Sequence, residues 1–129
     1  MPLLQFDTTA DATEAEKRAV TERVTDLYAE EMATTTGHVA VVIREHPAAN
    51  LSLGRAVEGP LCFLSADVRE GRPFERRRAF ALAAMELAAE TWSIPEPNLK
   101  VSFTEHAGED LMGVNRVGGE WSGDGDDGE

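Results

Sequence analysis

Cysteine, lysine and aromatic side chains are all scarce in this chain of 129 residues. The single cysteine, Cys62, excludes an internal disulfide and fits a reducing compartment. Lysine occurs only as Lys17 and Lys100, and the 12 basic residues face 24 acidic ones, for a net charge of −12. Nucleic acids and anionic membrane surfaces select a basic footprint, so neither is expected as a partner. No apolar run approaches the ~20 residues that span a bilayer. No basic stretch followed by an apolar one marks a secretory signal, and a cytoplasmic location is expected. The three histidines have no metal-ligand spacing, so no metal and no cofactor are expected. His46 and His106 read as polar turn residues. Lysine-poor acidity of this kind also resembles the proteins of salt-accumulating halophiles, in which ionic strength screens self-repulsion.

What is present suits one domain with an aliphatic core, since hydrophobic residues make up 42% and aromatics only 6%. Sliding the chain along itself by 60 positions superimposes Asp7 on Asp67, Ala19 on Ala79, Glu30 on Glu90 and Val41 on Val101. The pair Glu45–His46 falls on Glu105–His106, and Leu51 on Leu111. Each half reads strand, helix, strand. In the first, "PLLQFD" is a strand. Thr13 and Glu16 stand at capping-box spacing before a helix whose face carries Val20, Val24, Leu27 and Tyr28. "HVAVVIRE" then alternates Val39, Val41 and Ile43 inward. In the second, "LCFLSADV" is a strand. Pro73 opens a helix to about Trp92 with Phe80, Ala84, Leu87 and Ala88 on its apolar face, and "LKVSFTE" alternates Leu99, Val101 and Phe103.

The expected fold is α+β, a two-layer sandwich: a tandem β-α-β repeat (about residues 2–55 and 61–116) forming one four-stranded sheet with two helices on one face. One domain over 1–121 is expected, followed by a disordered acidic tail over 122–129. The sheet's second face is expected to be apolar and bare, built by the alternating residues of the two later strands. Covering it calls for assembly.

Pro2 ahead of a strand, the tandem repeat of about 60 residues and the small-residue segment "EHPAANLSLGR" together resemble the tautomerase superfamily. The first half resembles the β-type subunit of its trans-3-chloroacrylic acid dehalogenases through "VVIREHPAANLSLGR". The second resembles the α-type subunit through "VREGRPFERRRA". The resemblance implies a fused 4-oxalocrotonate tautomerase-like protein that assembles as a homotrimer. Its catalytic group is an amino-terminal proline freed by removal of Met1. The position matching Pro2 in the second half is Cys62, whose nitrogen lies within a peptide bond, so one site per chain is implied. Arg69 and Arg72 match the arginines that bind a substrate carboxylate. Lys100 matches a second-strand arginine, and Leu51 falls where 4-oxalocrotonate tautomerase has an aromatic pocket residue. Leu111 and Lys100 are candidates to be shared between neighbouring chains.

The implied activity is keto–enol isomerisation of 2-hydroxy-2-enoates, small anionic carboxylates, with Pro2 moving the proton and the arginines holding the carboxylate. Related dehalogenases and hydratases activate water with a carboxylate. Gly113 stands at that position here, which weighs against water addition. Malonate semialdehyde decarboxylation is an alternative within the superfamily, and a non-enzymatic binding module retaining Met1 is an alternative outside catalysis. Of Arg76, Arg77 and Arg78, successive helix positions that cannot share a face, at least one is expected to be surface decoration.

Overall fold

The computed structural model describes residues 1–121, and the acidic segment 122–129 lies outside the described residues. Strand β1 (Leu3–Thr8) leads to helix α1 (Glu14–Glu31) and strand β2 (Ala40–Glu45). Strand β3 (Cys62–Arg69), helix α2 (Phe74–Trp92) and strand β4 (Leu99–His106) repeat the pattern. A short hairpin of β5 (Met112–Gly113) and β6 (Arg116–Val117) follows. Helix α1 starts where the sequence predicts. The Glu16 amide donates to Thr13 Oγ1 at 3.1 Å, and the Thr13 amide donates to Glu16 Oε1 at 2.8 Å.

The sheet order is β2-β1-β3-β4. Within each repeat the strands are parallel, as a βαβ crossover requires, while β1 and β3 run antiparallel at the centre. Register then decides which end meets which. Leu3 pairs with Asp67 and Thr8 with Cys62, so the start of β1 lies beside the end of β3.

Alternation along the strands sends Leu4, Phe6, Leu64, Ala66 and Val68 toward the helices, where Val20, Val24, Tyr28, Phe80, Ala84 and Ala88 meet them. Edge-to-face ring contacts of Tyr28 with Phe80 (5.1 Å) and Phe6 with Trp92 (6.2 Å) fill the space between the layers.

The open sheet face corrects one expectation. Val39, Val41, Ile43, Val101 and Phe103 pack against the core, and Leu99 is buried within it, so all six serve the helix side. Pairing fixes this: Val41 lies opposite Leu4, and Val101 opposite Leu64. The other face carries Gln5, Asp7, Ser65, Asp67, Lys100, Ser102 and Thr104, and is largely polar. Exposed apolar side chains lie elsewhere: Met112, Val114 and Val117 of the terminal hairpin are all more than half exposed, as are Phe74 at the start of α2 and Val57 between the repeats. No helix among the described residues is long and apolar enough to cross a membrane.

Candidate active site

The antiparallel register at the sheet centre builds the site. Continued by one step beyond the Leu3–Asp67 pair, it sets Pro2 opposite Val68, immediately before Arg69. Pro2 is buried and its carbonyl accepts from the Ala40 amide at 3.0 Å, which ties the chain start to β2 as well.

Arg69 is 1% exposed and Arg72 3%, so neither is the solvated turn residue that a sequence motif alone leaves open. Between them Gly71 turns the chain at φ +114°, a conformation that L side chains rarely adopt. Arg69 Nη1 donates to the Gly119 carbonyl at 2.9 Å. Arg72 Nε donates to the Met32 carbonyl at 2.8 Å and Arg76 Nη1 to the Glu31 carbonyl at 3.1 Å. Helix α1 has no basic residue in its own last turn, so these two guanidinium groups serve its carbonyl-rich end from the neighbouring repeat. Trp121 lies against both, with 5.5 Å from its ring centre to Arg72 and 5.6 Å to Arg76. Arg77 pairs with Glu105 at 3.9 Å, and Arg78 is exposed, which makes Arg78 the surface member of the triplet.

The segment after the hairpin reaches the arginines because two glycines cross. Any side chain on Gly108 would run into the Gly119 backbone, and one on Gly118 would meet the Gly108 carbonyl. The Gly118 amide donates to the Leu111 carbonyl at 2.9 Å, which places Leu111 at the root of this crossing in the same chain. Gly113, beyond it, faces the Met1 side chain: a Cβ there would lie 2.7 Å from the Met1 methyl carbon.

Pro2, Arg69, Arg72 and Leu111 therefore share one end of the molecule. Lys100 and Leu51 do not join them. Lys100 pairs with Phe63, which pairs with Asp7, about 17 Å along β1 from Pro2 at ~3.4 Å per residue. Lys100 lines a groove there with Ser52, Leu53, Phe63 and Ser102, and Leu51 directly precedes that loop wall.

Two further contacts were not expected from reading the histidines as turn residues. His46 Nε2 meets Asp7 Oδ1 at 2.7 Å, and His106 Nε2 meets Asp67 Oδ1 at 2.8 Å. The signal lay in the repeat, since both partners of each pair superimpose at the 60-residue offset. Cys62, at the Pro2 position of the second repeat, is 2% exposed, and burial pushes its thiol up to about 12. It is a core residue and not a nucleophile. Among the described residues no group of three or more His, Cys, Asp or Glu side chains is placed to hold a metal ion.

Residues 2–57 match the family model described as tautomerase enzyme. No curated protein matches the chain. Among solved structures, N1, a member of the cis-3-chloroacrylic acid dehalogenase family, superimposes with a TM-score of 0.81 at 21% identity, over 92% of this chain and 84% of that one. A fused 4-OT wild-type symmetric trimer, Q0, gives 0.77 at 20% identity over 89% and 93%. FG41 malonate semialdehyde decarboxylase inhibited by 3-bromopropiolate gives 0.74 at 20% identity over 88% and 90%. At these identities the likeness is one of fold. The first repeat thus matches the tautomerase family by sequence, and the two repeats together share the fold of these solved structures.

Proposed function

We propose that this protein is a cofactor-independent keto–enol tautomerase acting on enolised 2-oxo acids, with Pro2 as the proton-transfer group once Met1 is removed. The observation that carries the reading is the register of β1 on β3, which sets the Pro2 nitrogen at the same sheet end as the buried Arg69. A secondary amine beside guanidinium groups is driven toward its neutral form, because nearby positive charge disfavours protonation. A neutral amine can take a proton from an enol and return it to carbon. The guanidinium of Arg69, displaced from the Gly119 carbonyl, offers a planar pair of donors to a carboxylate and stays charged throughout. Arg72 supports that charge while holding the end of α1.

Water-adding chemistry is the weaker reading. The position beside the chain start that matches the water-activating carboxylate of related dehalogenases is Gly113, which brings no carboxylate against Met1. Decarboxylation of a 3-oxo acid would use the same amine and arginines. A binding module with Met1 retained is favoured only if the native chain keeps that methionine, since an acylated nitrogen accepts no proton.

Lys100 and Leu51, at the far end of the sheet, would enter a site only across a subunit boundary, and a homotrimer supplies one. The exposed Met112, Val114 and Val117 of the terminal hairpin are the surface we assign to that contact, in place of the sheet face.

The test combines the intact mass of the native protein with ketonisation of the enol of phenylpyruvate. The mass is expected to lack Met1, and Pro2→Ala is expected to lower kcat/KM by about 10²-fold, the usual scale for a general acid–base group. Full activity with Met1 in place, or in Pro2→Ala, refutes the assignment.

A further inference from the structure

The two Asp–His pairs are equivalent by sequence and differ in their surroundings. In the first repeat Arg44 grips Asp7 through two bonds, Nε to Oδ1 at 2.8 Å and Nη2 to Oδ2 at 3.2 Å. That grip, with a further contribution from His46, holds the Asp7 carboxyl below its ordinary value. The position equivalent to Arg44 in the second repeat is Thr104, which brings no guanidinium to Asp67. Asp67 therefore holds His106 where Asp7 is shared between Arg44 and His46.

The second pair also stands at the end that matters. His106 is the strand partner of Arg69, and Asp67 is the partner of Leu3, the residue after Pro2. His106 lies two strands from the line of β1, about 10 Å at the ~4.8 Å strand spacing. A carboxylate only accepts, so His106 Nε2–H donates to Asp67, and in the neutral ring Nδ1 then carries the lone pair. The imidazole is about one-third exposed, open enough to meet a ligand. The charged groups around it are Asp67 and Arg69 on β3, Glu70 just after Arg69, whose amide donates to the His106 carbonyl at 2.8 Å, and Glu105 on its own strand. Glu105 pairs with Arg77 of α2.

We propose that His106, oriented by Asp67, is the second proton-transfer group of this site, handling the proton on the substrate's oxygen while Pro2 handles the proton on its carbon. This rests on the tautomerase reading above. A 2-enol acid whose carboxylate sits on Arg69 carries its enol oxygen on the adjacent carbon, next to the Arg69 strand partner. In ketonisation His106 Nδ1 takes the enol proton. The O–H electron pair becomes the second C–O bond, and the carbon–carbon π pair takes a proton from the minority protonated form of the Pro2 amine, which the nearby positive charge makes a ready donor. The imidazolium, stabilised by Asp67, and the neutral amine then exchange protons with water, which restores both groups. The substrate loses one proton and gains one. A division of this kind gives each group one position to serve, with no need for the Pro2 nitrogen to travel from oxygen to carbon.

The experiment measures kcat/KM against pH for the enol of phenylpyruvate in wild type, His106→Gln, Asp67→Asn, Pro2→Ala and the control His46→Gln. Ring-nitrogen NMR is recorded in parallel with saturating 3-phenyllactate, which keeps the carboxylate and 2-hydroxyl and does not ketonise. His106→Gln is expected to lose about 10²-fold in kcat/KM and one of the two ionisations of the profile. Asp67→Asn should shift that same ionisation, and His46→Gln should match wild type. Phenyllactate is expected to move the His106 ring nitrogens and leave those of His46 in place. Full activity and an unchanged profile in His106→Gln, with activity lost in Pro2→Ala, overturns this inference and leaves the Pro2 reading standing. Full activity in Pro2→Ala overturns that reading itself. His106 nitrogens unmoved by phenyllactate overturn the inference without reference to turnover.

Discussion

Replacing Arg69 by lysine separates what this side chain does for the fold from what it does for a ligand. In the fold one of its bonds is Nη1 to the Gly119 carbonyl, at 2.9 Å, in a side chain that is 1% exposed. A bond from a charged donor contributes about 1.5–3 kcal/mol, and the lysine ammonium can re-form much of it on a flexible stem. The stability loss in Arg69→Lys should therefore stay near 1 kcal/mol, read as a shift in urea midpoint at constant slope. A carboxylate is affected differently. The guanidinium presents two parallel donors, the ammonium presents one point charge, and losing one charge-assisted bond at a desolvated position removes about 1.5–3 kcal/mol. That corresponds to about 10- to 150-fold in kcat/KM, since each 1.36 kcal/mol is a factor of ten. The assay is ketonisation of a 2-enol acid beside its methyl ester, which lacks the carboxylate charge. The expected result is a large loss on the acid and little on the ester. Equal losses on both, or a loss on the acid below threefold, would refute the assignment of Arg69 to the carboxylate.

Arg72→Ala should destabilise the protein by about 2–3 kcal/mol, because it strips the buried Met32 carbonyl at the end of α1 of a charged donor. Urea unfolding checks this, and unchanged stability would remove Arg72 from the helix end. Asp7→Asn should cost stability at neutral pH. The Arg44 bonds hold the Asp7 carboxyl below its ordinary 3.8, so its contribution is present above that pH and fades as acid titrates the folded carboxylate. Wild type should thus outlast Asp7→Asn at pH 7 and converge with it in acid, and a gap that widens on acidification would contradict the sign. If the terminal hairpin forms the proposed trimer contact, Val114→Asp should dissociate the trimer and leave the monomer's fold intact, since Val114 is fully exposed in the single chain. Burying a valine is worth about 1.5 kcal/mol or more per copy, and sedimentation at low and high salt reads the change. A Val114→Asp trimer as stable as wild type would place the interface elsewhere.

The strands, helices and repeat were legible because each rests on local pattern. The Thr13–Glu16 cap, the spacing of Val20, Val24 and Tyr28, and the alternation from Val39 to Ile43 need no distant contact to be read. Long-range register was not legible. Nothing local says that β1 and β3 pair antiparallel with Leu3 opposite Asp67, and only that pairing brings Pro2 to Arg69 and leaves Lys100 at the far end. The same gap explains the misjudged sheet face. Alternation shows that Val41 and Ile43 share a side, but which side the helices cover is decided by tertiary packing. The histidines were the nearest miss. Asp7 with Asp67 and His46 with His106 were visible as two repeated identities, yet their contact joins residues 39 apart.

A fused repeat offers two ends that could have been sites, and the chain has made them chemically opposite. Around Pro2 the second repeat supplies Arg69, Arg72 and Arg76. At the equivalent positions around Cys62 the first repeat supplies Thr9, Ala12 and Glu16. Thr9, Glu16 and His46 line an open groove with Asp11 and the rim of Trp92, which stands at the position equivalent to Met32. On the proposed reading an anionic substrate is drawn to the arginine end and repelled from the other. The polar groups follow the same division. At the Cys62 end Thr8 Oγ1 is spent on the Leu61 carbonyl and Asp7 is held by Arg44, so both are committed to structure. Buried in the core, Cys62 has no route to the chemistry a free amine offers. On the proposed reading, the cations stand at the Pro2 end and hydrogen bonds fix the Cys62 end, which leaves one competent end per chain. With a net charge of −12 over the chain, the proposed arginine site favours a small anion over any extended polyanion.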